Sequence, residues 1–196
     1  MTAPVKVNFK IYQGSTFKEV LRWESSTKVY KPITGISQAA PCVLNVVGNG
    51  IPVGWRFRIT NVKGMKEINS TSDAYYVATS TTTDTVTVNN LNSIDFTAYT
   101  SGGILEYNEP MDLTGITARM QIREKLESTV FLLELTTENG GITIDTVNKT
   151  ISINIPAAVT AGYSTPSAVY SMELINGTEV IPFVTGSISL VKEVTR

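Results

Sequence analysis

Strict alternation of apolar and polar side chains is the feature that most limits what this chain can become. Ile116, Ala118, Met120 and Ile122 share one parity, and Thr117, Arg119, Gln121 and Arg123 the other. Ile142 and Ile144 alternate with Thr143 and Asp145, and Ile151, Ile153 and Ile155 with Ser152 and Asn154. A period of two sends successive side chains to opposite faces of an extended backbone, so each run predicts a strand with one face on a core. A helix, with about 3.6 residues per turn, would scatter the same residues around its circumference. Thr, Val and Ile supply about a third of the chain, and their branched Cβ atoms suit a pleated surface. Short strands between turn signals predict an all-β protein, a sandwich or barrel rather than βαβ units.

The turns carry their own signals. Asn176-Gly177 separates 170–175 from 178–184, and both residues tolerate positive φ, which predicts a type I′ hairpin. Residues 145–150 predict a second hairpin with a longer loop, and Gly140-Gly141 breaks the chain ahead of it. Pro156 to Gly162, with Pro at the start and Gly at the end, predicts a helix of about two turns that serves as a connection. From Thr34 to Tyr107 the texture changes to Gly, Asn, Ser and Thr, with strands expected at 42–47, 55–61, 74–79, 85–89 and 103–107. Ile33-Thr34-Gly35-Ile36 and Leu113-Thr114-Gly115-Ile116 stand near its two boundaries; one similar pair does not make a repeat architecture.

Composition narrows the chemistry. The 196 residues suffice for one large domain or two small ones. Lys+Arg 16 against Asp+Glu 17 leaves a net charge of −1, which argues against a nucleic-acid binder or a polybasic membrane-surface protein. With no histidine and one cysteine, zinc, haem, Ser–His and Cys–His mechanisms lack their parts, so no metal or cofactor is expected. Cys42, in the run Cys42-Val43-Leu44, is expected to be a small buried hydrophobe, and it cannot form an internal disulfide. The first ten residues lack the apolar segment of a signal peptide, and no run approaches a membrane span, so a cytoplasmic site of synthesis is expected. The sequons at Asn69, Asn148 and Asn176 then carry no meaning.

Two stretches bear a family resemblance. Phe9-Lys10-Ile11-Tyr12-Gln13-Gly14-Ser15-Thr16-Phe17, followed by Leu21-Arg22-Trp23, resembles the opening of small virion proteins of tailed bacteriophages. Asp112-Leu113-Thr114-Gly115-Ile116 through Arg123, Leu132 to Thr136 and Gly141 to Asp145 are similar to the next segments of that family's members. The resemblance implies an immunoglobulin-like β-sandwich related to amino-terminal domains of baseplate and tail-fibre-anchoring proteins. In simpler members the first hairpin runs directly into the Asp-Leu-Thr-Gly segment, whereas here a long stretch intervenes. Within it, 33–37, 40–44, Gly54-Trp55-Arg56-Phe57-Arg58-Ile59-Thr60, Gly64-Met65 and 96–103 resemble a module likened to the first catalytic-cysteine half-domain of ubiquitin-activating enzymes. That half-domain is a β-barrel without a catalytic residue of its own, so Cys42 is not a thioester cysteine. The expected fold is an all-β, discontinuous immunoglobulin-like sandwich of residues 1–33 and 107–196 carrying an inserted small β-barrel of residues 34–106. Strands near 7–12 and 17–23 should then pair with strands after residue 110.

No motif yields a site. Glu106 with Glu109, or Asp112 with Glu124, are the carboxylate pairs to consider for catalysis, yet nothing in the sequence brings either together, and Asp112 reads as a turn residue. Arg56 and Arg58 flank Phe57 beside Trp55. Such a strand could offer an aromatic–basic surface to a carbohydrate or single-stranded nucleic acid, but simple alternation puts Trp55, Phe57 and Ile59 inward and the arginines in solvent. Gly48-Asn49-Gly50 lacks the Gly-Lys-Ser/Thr and helix of a phosphate loop and reads as a turn. Tyr75-Tyr76 and Ile94 to Tyr99 are read equally as interface or core. No catalytic, cofactor-binding or metal-binding residue is therefore assigned. The function expected from the resemblance is that of a non-enzymatic virion structural protein. It would form a homo-oligomeric ring, a tail, neck, collar or baseplate adaptor holding other virion proteins or anchoring fibres, assembled in the bacterial cytoplasm, with no nucleic-acid or membrane partner. A capsid decoration or head-fibre protein, or a carbohydrate- or receptor-binding module, are the alternatives.

Overall fold

The computed structural model describes residues 3–72, 74–88 and 91–192, and it is all-β with one short helix. In chain order the strands are β1 (Val5–Lys6), β2 (Phe9–Tyr12), β3 (Phe17–Leu21), β4 (Glu24–Pro32), β5 (Gly35–Ile36), β6 (Val43–Asn45), β7 (Arg56–Lys63), β8 (Tyr76–Thr81), β9 (Thr85–Val88) and β10 (Ser101–Pro110). Beyond these lie β11 (Ile116–Arg123), β12 (Leu133–Thr136), β13 (Ile142–Asp145), β14 (Thr150–Ile155), the helix α1 (Ala157–Ala161), β15 (Ser167–Asn176) and β16 (Glu179–Val191). The chain divides into two compact units, one of residues 1–22 and 112–196, the other of residues 23–111.

In the first unit, one sheet runs β1-β16-β15-β11-β12, with β2 also on β16. The alternation of β11 is realised as written: Ile116, Ala118, Met120 and Ile122 are buried. Each fully buried Ile or Met contributes about 1.5–3 kcal/mol, which fixes the register, since a slip of one residue would expose all four. A second sheet runs β13-β14-β3. Thus β2 pairs in parallel with β16, and β3 antiparallel with β14, across the whole intervening segment. Phe9 of the first sheet meets Phe17 of the second with ring centroids 5.3 Å apart, and stacks on Tyr170 at 4.9 Å.

Two features of β16 arise from its residues. Pro182, which has no N–H for a ladder, sits at a bulge between Met172 and Glu173 of β15, so Phe183 and Val184 are both buried despite being adjacent. Gly186 lets the Val7 carbonyl come so close that a Cβ there would lie 1.8 Å from its oxygen. The β15–β16 hairpin differs by one residue from the sequence expectation. Asn176 pairs with Glu179, leaving Gly177-Thr178 as the loop, with φ of 59° at Gly177. A left-handed residue at the first central position alone is the type II′ pattern, for which glycine, not asparagine, is the required residue.

In the second unit, seven strands run β4-β10-β7-β8-β9-β6-β5 as a half-barrel sheet. The core holds Trp55, Phe57, Ile59, Leu105, Met65, Ile68 and Val86, all fully buried, around Cys42. The unit begins at residue 23 and ends at residue 111, and β4 runs along β10 from Pro32–Ile104 to Glu24–Pro110. The two ends of this unit lie side by side, Met111 N donating to Trp23 O at 3.0 Å. The helix α1 spans five residues, shorter than expected, with Pro156 before it and Gly162 after it.

Candidate functional site

The most exposed apolar cluster of the first unit is the loop between β11 and β12. Leu126 is 81% exposed, Val130 74%, Phe131 45% and Leu132 43%. Four such side chains within seven residues concentrate exposed apolar surface on one loop, and concentrated apolar exposure marks interaction sites more than scattered exposure does. The loop is built, not slack. The Arg123 guanidinium donates to Ser128 O and, at 2.8 Å, to Gln121 Oε1. Ser128 N donates to Lys125 O at 3.1 Å, Lys125 N to Ser128 Oγ at 3.2 Å, and Leu132 N to Ile122 O at 2.7 Å. Glu124, Lys125 and Glu127 lie exposed along its first half.

Beside the loop opens a concavity of about 520 Å³, lined by Leu132 and Glu124 on one side and by Val159, Tyr163, Thr165 and Pro166 on the other. The second wall is the link from α1 to β15. It is held from far along the chain: Gln13 Nε2 donates to Ala161 O at 3.2 Å and Tyr163 O at 3.0 Å, Thr160 Oγ1 to Ser15 O at 2.8 Å, and Leu190 N to Pro166 O at 2.9 Å. The Tyr163 hydroxyl is buried without a hydrogen-bond partner, and burial pushes it up from 10.0 to about 12. An unpartnered buried donor is costly, roughly 1–3 kcal/mol.

In the second unit, Arg56 and Arg58 do face outward while Trp55, Phe57 and Ile59 are buried. They are spent locally. Arg56 binds the Glu24 carboxylate through Nε at 2.8 Å and Nη2 at 2.7 Å, and that bond holds the guanidinium's pKa above its usual value. Both guanidiniums cap the Tyr75 ring, at 4.9 and 6.0 Å from its centroid, and Arg58 Nη2 reaches Thr71 O at 3.2 Å. The residues read equally as interface or core divide. Tyr76, Phe96 and Tyr99 pack on the core, with Tyr76 donating to Ile68 O and Tyr99 to Ile33 O, while Tyr75 and Ile94 are exposed.

The carboxylates are not brought together as pairs. Asp112 and Glu124 stand at opposite ends of β11, whose eight residues span roughly 25 Å at about 3.3 Å each. Asp112 accepts from Thr114 Oγ1 at 2.9 Å, Thr114 N at 3.2 Å and Lys149 Nζ at 3.1 Å; these, the Thr114 hydroxyl first, hold its carboxyl below the usual range. Glu106 pairs with Lys28 at 3.0 Å. Cys42 is fully buried, and desolvation pushes its thiol up. Among the described residues no group of three His, Cys, Asp or Glu side chains converges as a metal site, and no helix is long and apolar enough to cross a membrane.

Sequence reading overlooked one polar centre. Asn49, read as part of a turn, is 1% exposed. Its Nδ2 donates to the carbonyls of Val46, Thr82 and Thr83 at 3.2, 2.9 and 3.0 Å, its Oδ1 accepts from Ile51 N at 3.1 Å, and Tyr107 Oη donates to Asn49 O at 2.7 Å. The apolar loop was overlooked too. The break in alternation at Val130-Phe131-Leu132-Leu133 is the signal that could have found it. Against known proteins, no family model matches the chain, and a search of curated proteins finds no match.

Proposed function

We propose that this chain is a non-enzymatic structural protein of a tailed-phage virion, an oligomeric tail, neck or baseplate adaptor that works by binding. In this reading the first unit is an immunoglobulin-like sandwich and the second an inserted barrel. The Phe9–Phe17 contact between two sheets supports the sandwich. The barrel is supported by the run from β4 into β5, which bonds to β10 at one end and β6 at the other, with Ile33 N on Gly103 O and Thr34 N on Asn45 O at the crossing, both 2.9 Å. The phage assignment rests on the resemblance of residues 9–23 and 112–145 to virion proteins.

The observation that carries the binding reading is the preformed apolar loop beside an open concavity. Such a patch is what a part that holds neighbours needs, and it requires no reactive group. A carbohydrate-binding reading at the Arg56–Arg58 strand draws on Tyr75, since Trp55 is buried and the arginines over Tyr75 are committed to Glu24 and Thr71. Cryo-electron microscopy of the parent particle tests the proposal. Density for the chain in a repeated position on the tail, neck or baseplate is the expected result. Absence from the particle, or binding on a glycan array lost in Tyr75→Ala, would refute it.

A further inference from the structure

We propose that Asn176, at the tip of the β15–β16 hairpin, is a self-modifying site that converts through a cyclic imide with Gly177 to aspartate and isoaspartate, while the chain's two other Asn-Gly pairs are held against the same reaction. The inference goes beyond the binding reading and does not rest on it. Glycine follows asparagine three times, at Asn49-Gly50, Asn139-Gly140 and Asn176-Gly177. Glycine has no Cβ to hinder attack by its own nitrogen, so all three pairs meet the covalent requirement. The fold then separates them by what each asparagine side chain already does.

Asn49 is 1% exposed, and its carboxamide is bonded to the loop of residues 82–83 and to Ile51 N. Asn139 is exposed, yet its Oδ1 accepts from Thr136 N at 2.9 Å and from Gly141 N at 3.0 Å, and its Nδ2 donates to Glu134 O at 3.0 Å. Its Cγ cannot turn to Gly140 N until these bonds break. At about fivefold per neutral hydrogen bond, three of them slow the reaction by roughly a hundredfold. Asn176 is exposed, and among the described residues its carboxamide has no hydrogen-bond partner. Asn176 and Glu179 form the last ladder pair, so the Gly177 N–H belongs to the loop. Gly177, with φ of 59°, has nothing within 4 Å of where a Cβ would stand, which leaves room for the ring and for water.

The step needs only solvent. A base removes the Gly177 amide proton, the nitrogen attacks Asn176 Cγ, the Cγ–Nδ2 bond breaks and ammonia leaves. Water then opens the five-membered ring: cleavage at Cγ gives aspartate, and cleavage at the main-chain carbonyl gives isoaspartate. Either product adds one negative charge to a chain of net −1 and sets it opposite Glu179, where like charges destabilise a ladder. Isoaspartate also routes the main chain through the side chain, at a position of β15 paired on both sides, with Ile116 and with Glu179.

The test is ageing of the full folded chain at neutral and mildly alkaline pH, followed by tryptic mapping. Cleavage after Lys and Arg puts the three sites in separate peptides, residues 29–56, 126–149 and 150–192. The mass gain of an NH₂-to-OH exchange is expected in the last of these, localised by fragmentation to Asn176, with isoaspartate titrated by enzymatic methylation of its freed α-carboxyl. Its rate should rise with hydroxide concentration and exceed that at Asn49 and Asn139 by about tenfold or more. Asn176→Gln, whose closure would need a six-membered ring, should abolish the change. In urea, which releases all three side chains, the rates should converge. Native conversion at Asn139 or Asn49 as fast as at Asn176, a product without isoaspartate, a rate indifferent to pH, or a gap between sites that survives in urea would each overturn the proposal.

Discussion

Asn49→Ala should destabilise the second unit more than any other single polar-to-alanine change in it. The substitution keeps the Asn49 N–H bond to Thr83 O but removes the side-chain donor to Val46 O, Thr82 O and Thr83 O and the acceptor for Ile51 N. A neutral hydrogen bond contributes about 1 kcal/mol net, and a buried group left unsatisfied costs about 1–3 kcal/mol. The Nδ2 has two hydrogens to share among these carbonyls, so with the Oδ1 acceptor about three bonds' worth of pairing is lost at a site that is 1% exposed, which comes to about 3 kcal/mol, a large share of the roughly 5–15 kcal/mol that holds a domain together. With a urea dependence of about 1–3 kcal/mol per molar, the midpoint should fall by roughly 1–3 M. The assay is selective, because both tryptophans, Trp23 and Trp55, lie in this unit and their emission reports its unfolding. Tyr107→Phe, which removes the bond to Asn49 O, should cost about 1 kcal/mol and be non-additive with Asn49→Ala, since both act on one network. A loss below about 1 kcal/mol for Asn49→Ala, with an unchanged slope, would refute the idea that this side chain ties the two loops together.

Gly186→Ala should detach the first strands, because the new Cβ collides with the Val7 main chain; early cleavage near residues 5–12 in limited proteolysis is the expected readout. Burial holds the Tyr163 hydroxyl neutral to about pH 12, and burial, reinforced by the Glu19 charge, holds Tyr170 higher still. An unfolded tyrosine ionises near pH 10, so this contribution is complete below about pH 10 and is lost as pH rises through 12 and beyond; denaturant midpoints measured alongside tyrosinate absorbance should fall in that window, less steeply in Tyr163→Phe. Arg119→Gln breaks the exposed pair with Glu173 at 2.8 Å and should change stability by less than about 1 kcal/mol, with salt narrowing the difference further.

Local pattern carried the strands and failed where burial is decided at long range. The alternating runs of β11, β13 and β14 are legible because each strand needs one apolar face, and that need is written residue by residue. The segment Glu24-Ser25-Ser26-Thr27-Lys28 hides β4, since most of its side chains face solvent and its only ladder partner lies some eighty residues on. Asn49 looks like any turn asparagine until the 82–85 loop is folded over it. The apolar loop is half-legible: the run Val130-Phe131-Leu132-Leu133 breaks the alternation and so marks a departure from a one-faced strand, but its residue types are those of an interior, and the tertiary structure decides that Val130, Phe131 and Leu132 face out.

The pairing of β2 with β16 has a consequence for the order of events during synthesis. Residues 23–111 are contiguous, so that unit can close while the rest of the chain is still being made. Phe9 and Ile11 must wait for Ile188 and Leu190, near the far end of the chain. At translation rates of about 5–20 residues per second, the apolar face of β2 stays without its partner for on the order of ten seconds or more. The side chains left waiting, Phe9 and Ile11, are both buried in the finished unit, Phe9 stacked on Tyr170, so they stay open to wrong partners for that interval. A ribosome-bound chain halted before residue 180 should hold a protease-resistant second unit and a cleavable amino terminus.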